Sequence, residues 1–514
     1  MKNILKYSIL ATSLALTGVG CKKDFLNRNP TEQASIDQVF ATIEGFEAAL
    51  HGMHRMMYEV VDHDIFGVPS LAITWDLMGE DFIPSGVGAG WFIAAYRYQD
   101  ARNGNNNGAY AWTLNYRLIN NANQILSRID DFKADQERKD FVKASALFYR
   151  AYAYNTLATC FMHTYAADGL AIPSPLNYTG AAKQAPCVPI YTAPTQTGNE
   201  RATVEEVYTL INSDLSEALT LMSNTTVART DKSGISKEVI KGLTARVALT
   251  MHDWDKAATM ASEAREGYSY MSQEELLRGF TDANNREWIW GSIINLEQNG
   301  IYASFLSHLD FDMNGYAALG TEKKCNSDFF TPGTAVSMDT TDLRRKWWVS
   351  REEKRDLKLP QAVYSQRKFK APNQSSFAGD FPLMRAAEMA LIEAEALVWA
   401  GRRNDAVQVL TEFAKTRNPN FSPNLSSDQL VIAEIRKQRR IELWGEGFRY
   451  GDIMRQQAVP NYYLGQDGGY PLDRNGGGHN SGLAVITELG RFDTRFLFRI
   501  PASETNTNRI PQNP

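Results

Sequence analysis

Glu442 and Glu446, four residues apart in RRIELWGEGFRYGD, are the residues of this chain that come nearest to catalytic equipment. A pair of carboxylates is what glycoside hydrolysis uses, with one held protonated as the acid and the other ionised. Here Arg439, Arg440 and Arg449 are interleaved with them, together with Asp452. Neighbouring guanidinium groups favour the charged form of both carboxyls, so neither is left to act as an acid. The motif therefore reads as helix-end and interhelical ion pairs. The segment LDRNGGGHN opens like a calcium loop at Asp473 and Asn475, but Ala484 stands where the bidentate Glu of an EF-hand belongs. The seven histidines are scattered, and His51 and His54 lack the carboxylate spacing of a zinc protease. No GxSxG elbow, Walker loop or dinucleotide fingerprint occurs. The expectation is a chain without catalytic residues, metal or cofactor.

The elements that must carry the remaining residues are mostly helical. Ala144, Leu147, Phe148, Ala151, Tyr154 and Ala158 recur at helical spacing, as do Val207, Leu210, Ile211, Leu215, Ala218 and Leu219. Thr203 with Glu206 forms a capping box ahead of the second set, and Ser426 with Gln429 predicts another. Ala245, Ala257, Ala261 and Ala264 share their spacing with Ala394, Ala406, Leu410 and Phe413. Those are the small and medium packing positions of a tetratricopeptide helix pair, with Gly401 at one turn and Trp254 or Asp405 opening the second helix. Two dispersed copies cannot build a superhelix alone, so they read as scaffold. Gly79 to Tyr110, Asn299 to Asp380 and Asn461 to Arg491 are rich in Gly, Asn, Pro and aromatics. Short strands are predicted at Arg286–Ile294 and Val363–Phe369. Long irregular loops are costly in entropy and backbone satisfaction, which places function in them.

The N-terminus sets Lys2 and Lys6 before an apolar stretch, Tyr7 to Leu16, and small residues before Cys21. This predicts a signal peptide over residues 1–20 and lipid attachment at Cys21. Several acyl chains on one thiol make a permanent anchor. With a formal net charge of −5 that loss of Lys2 and Lys6 would make more acidic, nucleic acid is not expected as a partner. Cys160, Cys187 and Cys325 remain, an odd number without zinc spacing.

Eight blocks in order resemble the SusD/RagB family of outer-membrane nutrient-binding lipoproteins. They are CKKDFLNRNPTEQ, NYRLINNANQIL, ALFYRAYAYNTLATCF, RATVEEVYTLINSDLSEAL, TDLRRKWW, PLMRAAEMALIEAEALVWAG, IRKQRRIELWGEGFRYGDIMR and FLFRIPASETNTNRIPQNP. The resemblance implies a mainly α, SusD-like fold with tetratricopeptide-like helix pairs, long irregular loops and a few short strands. It also implies an N-terminal region over 21–230 and a C-terminal region over 231–514, packed as one body. Such proteins cap a SusC-like TonB-dependent outer-membrane transporter, with the repeat face toward it, and hand over an oligosaccharide without cleaving it. The RagB branch implies peptide cargo as the alternative.

Glycan capture needs exposed aromatic faces to stack on apolar C–H surfaces, with hydrogen-bonding groups beside them. In IPSGVGAGWFIAAYRYQDARNGNNNG, part of the candidate loop 79–110, Trp91, Tyr96 and Tyr98 lie near Asp81, Arg97, Asp100, Arg102 and Asn103. In EQNGIYASFLSHLDFDMNGYAALG, Tyr302 and Tyr316 are the further ligand candidates, among Phe305, His308 and Phe311. Trp347 and Trp348 read as anchors of a loop against the core.

Overall fold

The structure, a computed structural model, describes residues 36–99, 107–167, 181–295, 302–373, 376–459 and 472–513. The chain divides into two units, residues 1–49 and 50–514; the second holds every candidate ligand residue that is described. Cys21, Asp100, Arg102 and Asn103 lie outside the described residues.

The fold is mainly α. Its long helices include α1 (Val68–Leu77), followed after β1 (Phe82–Pro84) and α2 (Ile93–Tyr96) by α3 (Asn107–Ile129) and α4 (Gln136–Phe161). All six apolar positions read from the α4 segment are buried. Asp135 caps this helix, its carboxylate accepting from Arg138 N at 3.2 Å. After β2 (Pro186–Pro189) and β3 (Arg201–Thr203) comes α5 (Val204–Asn224). The expected capping box is present: Thr203 Oγ1 accepts from Glu206 N at 3.2 Å, and Thr203 N donates to the Glu206 carboxylate at 2.7 Å. Arg150 of α4 makes two 2.7 Å bonds to Asp214 of α5, which pins the two helices together.

The repeat positions do form helix pairs. One is α6 (Lys237–Met251) with α7 (Trp254–Ala264). After β4 (Trp288–Ser292), α8 (Phe305–Leu309), β5 (Lys323–Cys325) and β6 (Phe381–Arg385), the other is α9 (Ala386–Trp399) with α10 (Arg403–Arg417). All eight repeat residues are buried. Gly401 turns the second pair at a φ of 76°, a conformation that suits a residue lacking Cβ. Helix α7 packs directly on α9, so the two copies are neighbours in space despite the chain between them. The last long helices are α11 (Asp428–Glu442) and α12 (Arg449–Gln456), ahead of the short pair β7 (Leu472–Asp473) and β8 (Glu488–Leu489). The α11 cap is Ser427, accepting from Leu430 N, one residue beyond the Ser426 expected from the sequence. Ser427 has the extended φ of −134° and ψ of 158° that a capping residue takes.

The strands are short and antiparallel. Strand β4 lies inside the predicted Arg286–Ile294 stretch and pairs with β6. Its Trp290 is fully buried among His54, Phe148, Tyr149 and Tyr152. The predicted strand Val363–Phe369 makes only isolated bridges, Lys324 with Ser365 and Trp348 with Gln366. Trp347 and Trp348 are buried, with Trp347 Nε1 donating to Leu276 O at 2.9 Å.

The charged motif closes the interior. Arg385, at the junction of β6 and α9, bonds Glu287, Glu442 and Glu446. Arg417 joins Glu287 to Glu442, Arg344 joins Glu442 to Asp342, and Lys368 bonds Glu446 at 2.6 Å. Four cations thus face four carboxylates away from water. Burial alone would raise the Glu442 carboxyl, but Arg417, Arg385 and Arg344 hold it well below the usual carboxylate range. Glu446 is lowered in the same way by Arg385 and Lys368 against its own burial. The sequence reading of these carboxylates as ion-paired holds.

Candidate functional site

The antiparallel pair of β1 with β5 brings the two aromatic loops together. Phe82 faces Cys325 and Pro84 faces Lys323, and Ser85 N then donates to Glu322 O at 3.0 Å. The following loop runs so close to residues 319–321 that a Cβ on Gly86 would lie 2.7 Å from Gly320 O, and one on Gly88 would collide with the Thr321 side chain. Small residues at these two positions are therefore required for the approach. The consequence is that Trp91 meets Tyr316, with ring centroids 6.0 Å apart.

A third segment, the turn closed by the Asp62–Ile65 bridge, supplies His63. Its ring stacks on Trp91 at 5.2 Å and 19°, and its Nδ1 lies 2.8 Å from the Tyr316 hydroxyl. The backbone of Tyr316 is held as well, its N–H donating to Ser307 Oγ at 3.1 Å. Beneath it His308 stacks on Tyr316 at 4.8 Å and on Phe66 at 5.7 Å, while its Nε2–H donates to His63 O at 2.9 Å. Burial, reinforced by Lys323, brings the His308 imidazole down to about 3, so it stays neutral. Outward from Tyr316, Tyr302 lies 5.7 Å away and is 44% exposed, and Phe377 lies 5.7 Å beyond it. Trp91, Tyr316, His63 and Phe377 are each half-buried. The arrangement is an aromatic platform in which His63 covers one face of Trp91 and His308 one face of Tyr316, while each ring stays half-buried.

Trp91, Tyr302 and Tyr316 are thus brought together from segments far apart in the chain. The other described candidates support the loop from below. Tyr96 is fully buried and donates its hydroxyl to His479 Nδ1 at 2.6 Å. His479 Nε2 lies 3.0 Å from Glu80 O, which places its proton on Nε2 and leaves Nδ1 to accept. Tyr98, also fully buried and at a φ of 58°, donates to Met78 O. Arg474 lies over both rings, 4.4 Å from Tyr96 and 5.4 Å from Tyr98, and donates to Leu77 O, Gly79 O and Tyr96 O. Asp81 is buried in a two-bond pair with Arg440 at 2.6 and 2.7 Å. Arg97 is half-buried, its Nε donating to Leu483 O at 3.3 Å. Asp81, Tyr96 and Tyr98 therefore differ from the sequence expectation of open contacts: their polar atoms are spent on the frame. His63 and Phe377 are members that sequence reading missed. His63 stands outside the three candidate loops, and Phe377, although inside 299–380, is set beside Tyr302 only by the fold.

The LDRNGGGHN segment is built into the frame of the platform loop. It delivers Arg474 and His479 beneath the platform loop, and its Asn475 bonds Glu488. No cluster of three or more His, Cys, Asp or Glu suited to a metal is found among the described residues.

A mainly helical body with stacked helix pairs and long irregular loops is also the fold of the solved structures this chain resembles. Residues 24–249 match a family described as starch-binding and associating with the outer membrane, and residues 267–514 match the SusD family. The chain belongs to the SusD/RagB family. It is 25% identical to SusD-like protein P2 of Formosa agariphila over 99% of each chain. A SusD-like carbohydrate binding protein from Bacteroides vulgatus has 26% identity and a TM-score of 0.76, covering 91% of this chain and 97% of its own. A SusD superfamily protein from Bacteroides thetaiotaomicron shares the fold at 21% identity and a TM-score of 0.72, covering 92% of this chain and all of its own, 100%.

Proposed function

We propose that this protein is a non-catalytic, cell-surface glycan-binding lipoprotein that captures oligosaccharides on the Trp91–Tyr302–Tyr316 platform. The observation that carries the reading is the convergence of these three rings, partly open and held by His63, on loops that the fold is otherwise not obliged to expose. Flat aromatic faces suit the apolar faces of pyranose rings, and exposed Asp62, Asp312 and Asn314 on the same segments suit hydroxyl groups. The name of the Bacteroides vulgatus relative as a carbohydrate binding protein supports the same cargo class. Catalysis is not part of the proposal, because the carboxylate pair with suitable spacing is buried and ionised among arginines.

In this reading lipid at Cys21 tethers the chain to the outer membrane, and a SusC-like TonB-dependent transporter receives the ligand. The family description as outer-membrane-associated supports that location. Calorimetric titration with a panel of oligosaccharides tests the cargo. Trp91→Ala is expected to weaken binding at least tenfold, about 1.4 kcal/mol, with an unchanged melting temperature. Binding of peptides and of no saccharide would replace the glycan reading with the peptide one. Release of new reducing ends from a polysaccharide would overturn non-catalysis. Cys21→Ser is expected to move the protein from the membrane fraction to the soluble fraction, and retention in the membrane would refute the anchor.

A further inference from the structure

A groove distinct from the platform lies where α3, the 191–198 segment and the C-terminal helix Ala502–Thr507 meet. Its cavity is about 270 Å³, against about 140 Å³ for the pocket between α4, α6, α9 and α12. It shares no lining residue with the platform.

The floor is a chain of rings: Trp112 to Tyr116 at 4.7 Å and Tyr116 to Tyr191 at 5.8 Å. This floor is rigid. Tyr116 donates to Pro189 O at 2.8 Å, and Asn123 donates to Tyr191 O at 2.9 Å while accepting from Arg150 at 2.9 Å. Asn199 N donates to the Tyr191 hydroxyl at 3.0 Å, which fixes the outer ring. The rim has another character. Asn120 and Gln196 are exposed, and their side chains make no hydrogen bond among the described residues. Glu504 faces them from the C-terminal helix, its carboxylate accepting from the Asn508 amide at 2.6 Å.

No Lys or Arg lines the groove among the described residues, which disfavours an anion, and the single carboxylate is already engaged by an amide. Rigid aromatic faces edged by free amides and a carboxylate instead match a neutral polyhydroxylated ring. The volume lies just under the roughly 300 Å³ at which small-molecule sites begin, so it suits one or two sugar units rather than an extended chain.

We propose that this groove is a second saccharide site, taking a neutral mono- or disaccharide on Tyr191 and Tyr116 with Asn120, Gln196 and Glu504 as hydrogen-bonding partners. It rests on the reading of the chain as a glycan binder, yet is independent of the platform. The test uses the full mature chain with both sites altered separately. Methyl glycosides of glucose, galactose, mannose, xylose and N-acetylglucosamine, and their β- and α-linked disaccharides, are titrated by calorimetry and by ligand-observed NMR.

In the Trp91→Ala protein one saccharide is expected still to bind, with a dissociation constant raised at least fivefold by Asn120→Ala combined with Gln196→Ala. Both of those residues are exposed and unbonded, so the fold is kept. As a second variant, Gly198→Ala places a Cβ 2.5 Å from Asn508 Oδ1, displaces the rim and is expected to weaken the same binding. Binding in the Trp91→Ala protein that ignores both rim variants, or no binding by any member of the panel in that protein, overturns the second site. Platform binding in the unaltered chain that disappears entirely with Trp91→Ala removes the groove and keeps the platform. Binding that responds only to the rim variants removes the platform and keeps the groove.

Discussion

Glu442 shows how little a residue's chemistry is decided by its type. Its carboxylate meets Arg344, Arg385 and Arg417 with no exposure to water. Removing one partner of such a buried cluster leaves uncompensated charge, a loss of about 3–5 kcal/mol. Glu442→Gln is therefore expected to lower the urea midpoint by that equivalent while leaving the saccharide affinity of the folded protein unchanged. A loss of affinity at unchanged stability would instead assign Glu442 to a ligand site. Trp91 is the opposite case, a half-buried ring with His63 stacked on one face and Tyr316 set against it at a steep angle. The sequence motif pointed to an ionised Glu442 through arginines that in fact pair elsewhere, Arg439 with Asp452, Arg440 with Asp81 and Arg449 with Glu80, whereas its actual partners Arg417, Arg385 and Arg344 stand 25, 57 and 98 residues away. The roles of Tyr96 and Tyr98 were not legible. Whether a loop tyrosine points outward or into a frame depends on Arg474 and His479, nearly four hundred residues away.

The elements that matter most for the platform are among the shortest. Strands β1 and β5, three residues each, set the approach of two loops, and Arg474 holds the loop carbonyls beneath. Arg474→Met would strand the carbonyls of Leu77, Gly79 and Tyr96, each buried acceptor without a donor costing about 1–3 kcal/mol. The variant is expected to lose several kcal/mol of stability, to exchange amide hydrogens faster across residues 82–98, and to bind saccharide more weakly. Unaltered exchange there would show that the loop does not depend on Arg474. The long helices were readable in advance because apolar periodicity and caps are local signals, as at Thr203 and Glu206. The stretch Val363–Phe369 was not, since its β-like composition is used to pair single residues with two other segments, at Lys324 and Trp348, rather than in a ladder.

Among the described residues, buried histidines and arginine-paired carboxylates oppose acid, while burial raises Asp76 to about 7 in the opposite sense. Burial lowers His54, His163 and His252 to about 4 and His308 and His479 to about 3. These groups favour the folded state fully above the ordinary histidine value of 6.5, and that contribution is lost as pH falls through the folded values. Glu80 and Asp452 follow lower down. Burial opposes their ionisation, but Arg440 and Arg449 bring Glu80 to about 2, and Arg439 and Arg455 bring Asp452 to about 2. Their contribution is present above the ordinary carboxylate range and disappears as pH drops toward 2. Thermal melts from pH 7 to pH 3 are expected to show stability declining from about pH 6.5, with the decline continuing below about 4.5 as the paired carboxylates take over from the histidines. A flat profile between 6.5 and 4 would contradict the buried histidines. No helix among the described residues is long and apolar enough to cross a membrane.

Periodicity, capping and the order of eight blocks were enough to determine a mainly helical SusD/RagB chain with its helix pairs, because those signals lie within a few turns of backbone. Which aromatics face a ligand was decided only by tertiary structure. Trp91, Tyr302, Tyr316, His63 and Phe377 are neighbours solely through the β1–β5 register and the packing of loops that carry no periodic signal. The physical reason is one of range: a helix is specified by residues three and four apart, whereas a platform is specified by contacts between segments with no sequence relation to one another.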